Sequence, residues 1–468
     1  MDGHRSYFDT VDWAAMQRDH PIGDAFVRFA RETSADALRA HQERLFQRCV
    51  DRAWATPFYR RLWGRAGIER GDVTGLDVLP RLPAFGKAEI MESLDLAPPL
   101  GDFAGLESYP PGARPPLIFH TTSGTTGKPQ VLLFGAKGRE AQNLLLGRLY
   151  RFQGLRADDV VHSVYGHGMI NGGHYVRESV IHWTSALFMS AGTGVETRSA
   201  QQVQLMKDFG ATVIVGFADY IKKLATVAAE LGIDPVRDLK IRMISGHLGR
   251  EDKQALSDSW GGAACFDWYG VGDTGCIAGE GPDRDGLYVM EDAQYLEVCD
   301  IDTGLPVADG QPGDMVVTCL YKDDLYPIIR FNTHDVTRVL PGRSALDLVF
   351  KRIEGFLGRS DNMVKIRGIN IFPQAVGPML GEVAGFAGEF ICRARRDAAG
   401  RDEFVVVAET DAPAAERQAV AERCRETLKR KIGIEVAVDL VDRRATADLT
   451  QIDVRQKPIR LIDERFGR

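Results

Sequence analysis

The chain has 468 residues, more than one hydrophobic core accommodates before it stops growing near ~250–300 residues, so two or more domains are expected. Hydrophobic residues make up 44% and charged residues 26%, the makeup of a soluble globular protein, and the net charge of −7 argues against a nucleic-acid-binding surface while leaving room for a local basic pocket. No run reaches ~18 consecutive apolar residues, so no membrane span is expected, and MDGHRSYFDTVDW lacks the basic start and apolar run of a signal peptide.

Residues 1 to about 100 read as helical, with Ala37, Leu38, Leu45, Phe46, Cys49 and Ala53 recurring at helical spacing and breaks at TPFYR and at a Pro80–Pro83 turn. From about 115 to 335, short apolar runs (117–119, 160–161, 212–217, 241–246 and the approach to Asp267) alternate with helical patterns near 138–152, 199–209 and 219–231. That alternation predicts α/β layers with sites at strand ends. YLEVCDI, DMVVTCL and IIRF within 286–331 predict a more antiparallel, strand-rich part. GRSDNMVKIRGINIFP is Gly-punctuated and polar, as a hinge loop can be. EFVVVAE, a helix near 413–431 and VAVDLV follow it. The fold expected is α/β: a large N-terminal layered domain over 1–357 and a small α+β domain over 358–468. The seven cysteines are scattered, odd in number and never in C-x-x-C spacing, which reads as reduced thiols of a cytoplasmic protein rather than a disulfide frame or zinc cluster.

Five segments carry candidate chemistry. HTTSGTTGKPQ, His120 to Gln130, follows a strand. Its glycines let backbone N–H groups approach an anion, and its hydroxyls and Lys128 add donors and charge. It is not a Walker loop, which needs four residues between its glycines and Ser or Thr after Lys. In FDWYGVGDTG, Tyr269 could stack on a base and Asp273 could hold a hard cation beside phosphates, although strand-end Tyr-Gly turns are common. In LYPIIRFNTHDVTRVL, Asp335 could accept from sugar hydroxyls or simply cap a turn. Arg359, Asp361, Lys365, Arg367 and Gly368 form a polar junction that reads equally as a charged solvent loop. Lys457 in DVRQKPIRLIDER alone reads as a surface lysine.

In their order, these five segments resemble the adenylate-forming superfamily and in detail the phenylacetate–coenzyme A ligase family. The resemblance runs from RCVDRAWATPFYRRLWGRAGI through YGHGMINGGHY to the lysine segment. It implies that Thr122, Ser123, Gly124, Thr125, Thr126, Gly127 and Lys128 hold the ATP phosphates. It implies an adenine pocket from Gly246, His247, Asp267, Trp268, Tyr269 and Gly270, with Asp267 accepting from the adenine amino group. Asp335 and Arg359 would hold the ribose, Asp361 would be the hinge, and Lys457 the catalytic lysine of a mobile C-terminal lid. The acyl pocket would include Tyr165, His167, Ile170, Gly173, Gly216 and Phe217, walls suited to an aromatic acid. Catalytic roles fall to Lys457, Lys128 and Asp273, with Asp273 also the Mg²⁺ ligand.

The resemblance implies ATP-dependent activation of an aryl or arylacetic acid through an acyl-AMP to its coenzyme A thioester, by a homodimer with no nucleic-acid or membrane partner. Delivery to a carrier-protein thiol or an amine, or a weakened nucleotide- or acyl-binding protein, are the alternatives. Two departures bear on them. The family's Ser-Glu is Gly272-Asp273 here, one methylene shorter at the carboxylate. The Gly-Ala-Glu-Pro loop reads Gly246, His247, Leu248, Gly249. His162, His167, His174 and His182 fit no familiar metal spacing and read as packing or substrate contacts, with His167 able to meet a polar substituent on the acid.

Overall fold

The computed structural model describes residues 6–110, 113–122, 129–249, 251–361, 363–366, 369–396, 402–452 and 458–465, with the backbone alone at 365, 369 and 370. The described fold is mixed α/β. It divides into two compact units, residues 1–333 with 337–355, and residues 334–336 with 356–468.

In the first unit the helix Ala35–Ala55 opens on Ser34, whose Oγ accepts the Ala37 N–H, and stops before Pro57, the first residue of the next helix. Its inner stripe is Leu38, Leu45, Phe46, Cys49 and Ala53, as the spacing predicts, but Ala37 faces solvent, next to the cap. Pro80 lies inside a short 3-10 helix, Leu76–Arg81, where a missing N–H is tolerated, rather than at a turn.

The strands in chain order are β1 (Leu117–Thr121), β2 (Val131–Gly135), β3 (Val160–Ser163), β4 (Leu187–Ser190), β5 (Val213–Phe217), β6 (Met243–His247), β7 (Ala264–Val271), β8 (Gly275–Glu280), β9 (Leu287–Val289), β10 (Gln294–Cys299), β11 (Gly313–Cys319), β12 (Phe331–Thr337), β13 (Val339–Leu340) and β14 (Arg352–Ile353). A nine-stranded sheet runs β13-β14-β9-β8-β7-β6-β5-β3-β4. From β4 to β7 neighbours are parallel, and from β7 to β13 they are antiparallel. The strand–helix alternation and the strand-rich stretch after it therefore become two halves of one sheet. Val203, Ile214, Ile221, Leu224, Ile244 and Trp260 form a core cluster between the parallel strands and their helices. The helices Ala136–Phe152 and Asn171–Trp183 pack on each other, with Ser179 and Trp183 against Gly147.

The second unit contains the His334–Val336 part of β12, β15 (Gly358–Arg359), β16 (Val364–Ile366), β17 (Ile369–Ile371), β18 (Phe386–Arg396), β19 (Asp402–Thr410), β20 (Ala437–Asp442) and β21 (Leu461–Asp463). β18 to β21 form a sheet in the order β20-β19-β18-β21. Val420, Cys424 and Leu428 of the helix Arg417–Ile432 close a core over Phe390, Cys392, Phe404 and Val406. The polar junction 358–371, open to a linker reading, pairs instead as β15 on β12 and as a β16–β17 hairpin. Val364, Ile366 and Ile371 join this core. All seven cysteines are buried and free. No helix among the described residues is long and apolar enough to cross a membrane.

Candidate active site

In a parallel sheet, ligands bind beyond the carboxyl ends of the strands. Tyr165 to Gly173 follow β3, Phe217 ends β5, His247 ends β6, and on β7 Asp267 forms the last pair with β6, opposite Gly246, with Trp268 next to it. β5 and β6 approach closely at Gly216 and Gly246. A Cβ on Gly246 would stand 1.8 Å from the Gly216 carbonyl oxygen, so no larger residue fits there.

The glycine- and threonine-rich loop hangs from the β1–β2 hairpin, whose last pair is Thr121 with Val131. The Thr122 N–H donates to the Gln130 carbonyl (3.0 Å), and the Gln130 N–H donates to Thr122 Oγ1 (3.1 Å), closing the loop at its neck. The Thr121 N–H donates to the Met169 carbonyl (2.8 Å) and Thr121 bridges to Ile170, which ties the neck to the segment after β3. Ser123, Gly124, Thr125, Thr126, Gly127 and Lys128 lie outside the described residues, as do Arg367, Gly368 and Lys457.

Four rings cluster at the strand ends. His247 stacks on Phe217 (centroids 5.0 Å, 24°) and lies 4.1 Å from Trp268. Tyr165 packs edge-on against Phe217 (5.2 Å), and its hydroxyl shares a hydrogen bond with His247 Nδ1 (2.9 Å). Burial holds the Tyr165 phenol far above its usual range, so it stays a neutral hydrogen-bonding group. Among the expected acyl-pocket residues, Tyr165, Gly216 and Phe217 meet here. His247 joins them, and so does Trp268, which the resemblance placed at the adenine. Successive residues of a strand face opposite sides, so the side chains of Asp267 and Trp268 leave β7 in different directions. Gly173 donates to the Gly166 carbonyl (3.1 Å), while Ile170 is 37% exposed and His167 half-buried.

Asp267 faces the other way. Its Oδ1 accepts the Leu248 N–H (2.8 Å) and its own N–H donates to Glu280 Oε2 (2.7 Å). Tyr269 is buried on the same strand, and Gly270 lies against the Gly275 backbone. Burial pushes the Asp267 carboxyl up to about 7. Between pH ~4, where an unfolded Asp releases its proton, and about 7, the folded protein binds the extra proton, so this residue's contribution to stability falls across that window as pH rises. If the carboxylate form accepts the adenine amino group, KM for ATP falls about 10-fold between pH 6 and 8, the change in ionised fraction about a pKa near 7. The same profile measured on Asp267→Asn is expected to be flat in this range. A wild-type KM independent of pH contradicts the role.

Asp273 sits at the β7–β8 turn, 5% exposed. Its Oδ1 accepts from Gln130 Nε2 (2.7 Å) and from the Tyr326 hydroxyl (2.6 Å). Its carbonyl accepts from Gln142 Nε2 and from the buried Lys322 ammonium, both at 3.2 Å. Burial raises the Asp273 carboxyl and lowers the Lys322 ammonium. Gln130 and Tyr326 lie within two of the segments singled out above, but nothing in the sequence tied them to Asp273, 143 and 53 residues away, and Lys322 carried no signal.

The histidines do not form one site. His162 Nε2 is paired with Gln202 (3.0 Å), and His182 Nδ1 with Glu140 (3.1 Å), a contact that raises the His182 imidazole. His174 stacks on His120 (4.9 Å, 29°) and meets His167 edge-on. Burial, with Arg139 and His174 nearby, lowers His120 to about 4. A cleft of about 510 Å³, lined by Arg151, Arg156, His182 and Thr184, contains none of the expected site residues. Its lining residues precede β3 and β4, which places it at the amino ends of the strands.

In the second unit Asp335 pairs with Arg359 across β12 and β15. Arg359 Nη1 donates to Asp335 Oδ1 (2.8 Å), while its Nε and Nη2 donate to Asp361 at 2.7 and 2.5 Å. One guanidinium thus joins the expected ribose carboxylate to the expected hinge carboxylate.

Parallel strands with a buried carboxylate at their ends, a hairpin carrying a glycine- and threonine-rich segment tied to them, and a small α+β unit after them are the arrangement of an AMP-forming acid–coenzyme A ligase. Residues 368–465 match the AMP-binding enzyme C-terminal domain family. The chain is 33% identical over 378 residues to the phenylacetate–coenzyme A ligase of Pseudomonas putida, covering 77% of this chain and 79% of that one. It is 28% identical over 428 residues to the enzyme of the same name from Aromatoleum evansii, covering 88% and 92%. The solved structure of a 2-hydroxyisobutyryl-CoA ligase in complex with 2-HIB-AMP superimposes with a TM-score of 0.81 at 25% identity, over 95% of this chain and 94% of that one. The chain belongs to the phenylacetate–coenzyme A ligase family.

Proposed function

We propose that the acid is aromatic, an aryl or arylacetic acid, activated through its acyl-AMP and passed to coenzyme A with release of AMP and pyrophosphate. The observation that carries this reading is the ring cluster Tyr165, Phe217, His247 and Trp268 at the carboxyl ends of β3, β5, β6 and β7. Flat apolar walls with one polar pair among them suit a substituted aromatic ring. The phenylacetate–coenzyme A ligases among the relatives support it.

The adenine lies on the Asp267 and Tyr269 side, and the ribose hydroxyls are held by Asp335 with Arg359. The loop from Thr122 to Lys128 grips the phosphates, and Lys128 and Lys457 neutralise charge as the carboxylate attacks the α-phosphate. Low-dielectric surroundings make such fixed charges worth more than in water. Asp273 fits a magnesium site of the kind built from one carboxylate and nucleotide phosphates. Oδ1 is held by Gln130 and Tyr326, which fixes the direction in which the carboxylate points. The ion would neutralise phosphate charge there. The small C-terminal domain acts as a lid turning about Asp361, which withdraws Lys457 before thiol attack and lets one cleft serve both half-reactions. The enzyme works as a cytoplasmic homodimer.

Thioester formation across phenylacetate, benzoate, their hydroxylated analogues and 2-hydroxyisobutyrate tests the substrate class. Aromatic acids are expected to have the highest kcat/KM, and Trp268→Ala is expected to raise KM for the acid with little change in KM for ATP. Preference for the short aliphatic acid, or a Trp268→Ala defect confined to ATP, contradicts it.

A further inference from the structure

The departure at Gly272-Asp273 comes with its own partners. Gly272 lies against Leu132 of β2, whose Cδ1 would have to shift for a Cβ there, at 2.9 Å. The shorter Asp273 reaches Gln130 and Tyr326 with one oxygen. Gln130 is also the residue that closes the phosphate loop, accepting from the Thr122 N–H and donating its own N–H to Thr122 Oγ1. Gln130 and Asp273 are 2% and 5% exposed, so water competes little for their hydrogen bond. Lys322, over the Tyr326 ring at 4.3 Å and donating to the Asp273 carbonyl, fixes the turn from below.

We infer that Gln130 is a positioning residue for the nucleotide: its side chain locks the neck of the phosphate loop to Asp273, so that the loop and the cation-facing carboxylate are set by one hydrogen bond. This rests on the ligase reading and adds a coupling between two parts of its site. Gln130 touches no reacting atom. It acts through the backbone of Thr122 and through Asp273.

The test compares Gln130→Ala, Gln130→Glu and the exchange double variant Gln130→Glu/Asp273→Asn, with Gln130→Glu and the double variant serving if the alanine form does not fold. ATP binding is measured by calorimetry with EDTA present, beside KM and kcat with magnesium and melting temperature. Losing one hydrogen bond to a charged group is expected to weaken ATP binding and raise KM for ATP about 10-fold, leaving KM for the acid unchanged. Gln130→Glu sets a carboxylate against Asp273, so its defect is expected to exceed that of Gln130→Ala. The double variant restores an amide–carboxylate pair with polarity reversed, and its metal-free ATP affinity is expected to return toward wild type while turnover stays low. Wild-type ATP affinity in a folded Gln130→Ala, equal rises in KM for ATP and acid, or a double variant no better than Gln130→Glu would each overturn the coupling. Failure of wild type to make any thioester would instead strike the ligase reading, because metal-free ATP binding is read separately.

Discussion

Replacing Lys457 by alanine is expected to lower acyl-AMP formation by ~10²–10³, the usual effect of removing one preorganised group that stabilises transition-state charge. Thioester formation from supplied acyl-AMP is expected to remain near wild type. In the role proposed for Lys457, the charge it meets develops only while the acid attacks the α-phosphate. Once pyrophosphate has left, the acyl-adenylate is already activated and the remaining chemistry is thiol attack on a carbonyl. Lys457 falls within the segment matching the AMP-binding enzyme C-terminal domain. The two half-reactions can be followed separately, by pyrophosphate exchange and by chromatography of the thioester. Equal loss in both would refute a lid that uses this lysine in one step alone.

Replacing Arg148 by alanine is expected to destabilise the first unit by about 3–5 kcal/mol, the range for stranding one partner of a buried ion pair. Arg148 and Asp292 are both fully buried. Nη1 and Nη2 donate to the two carboxylate oxygens at 2.6 and 2.8 Å, and the guanidinium stacks over Phe26 at 4.2 Å. Burial by itself would raise Asp292, but the Arg148 charge and hydrogen bonds, with His20 beside them, hold its carboxyl well below the usual range. The sign follows: the stabilisation is present above the unfolded value of ~3.9 and is lost as pH falls below it. Urea unfolding of Arg148→Ala checks the magnitude. Arg148→Met with Asp292→Leu is expected to recover part of the loss, since an apolar pair leaves no charge unpaired. A loss below about 1 kcal/mol for Arg148→Ala would contradict the account.

Strand and helix order was legible because local pattern carries it. TVIVGF and IRMISG became adjacent parallel strands, and the periodic stretch after Ser34 became a 21-residue helix. What lay beyond local pattern was harder to read. The helix Ala136–Phe152 buries Arg139, Glu140, Gln142, Asn143 and Arg148, and their partners Glu178, His182 and Asp292 are distant in sequence. A polar, Gly-punctuated junction reads as a loop, yet β15 to β17 form there because Val364, Ile366 and Ile371 have a core to enter. Trp268 was legible in principle, because strand alternation separates it from Asp267. The ring contacts of Trp268 with His247 and Tyr165, by contrast, follow only from the fold. Gln130 illustrates the opposite limit, its role being visible only once Asp273 is brought within 2.7 Å.

The most direct test is ATP–pyrophosphate exchange by the wild-type protein with an aromatic acid present and coenzyme A left out. Acid-dependent exchange without the thiol is the predicted result, since acyl-AMP forms first and reversibly. Exchange that needs no acid, or none with any acid offered while ATP still binds, would contradict it.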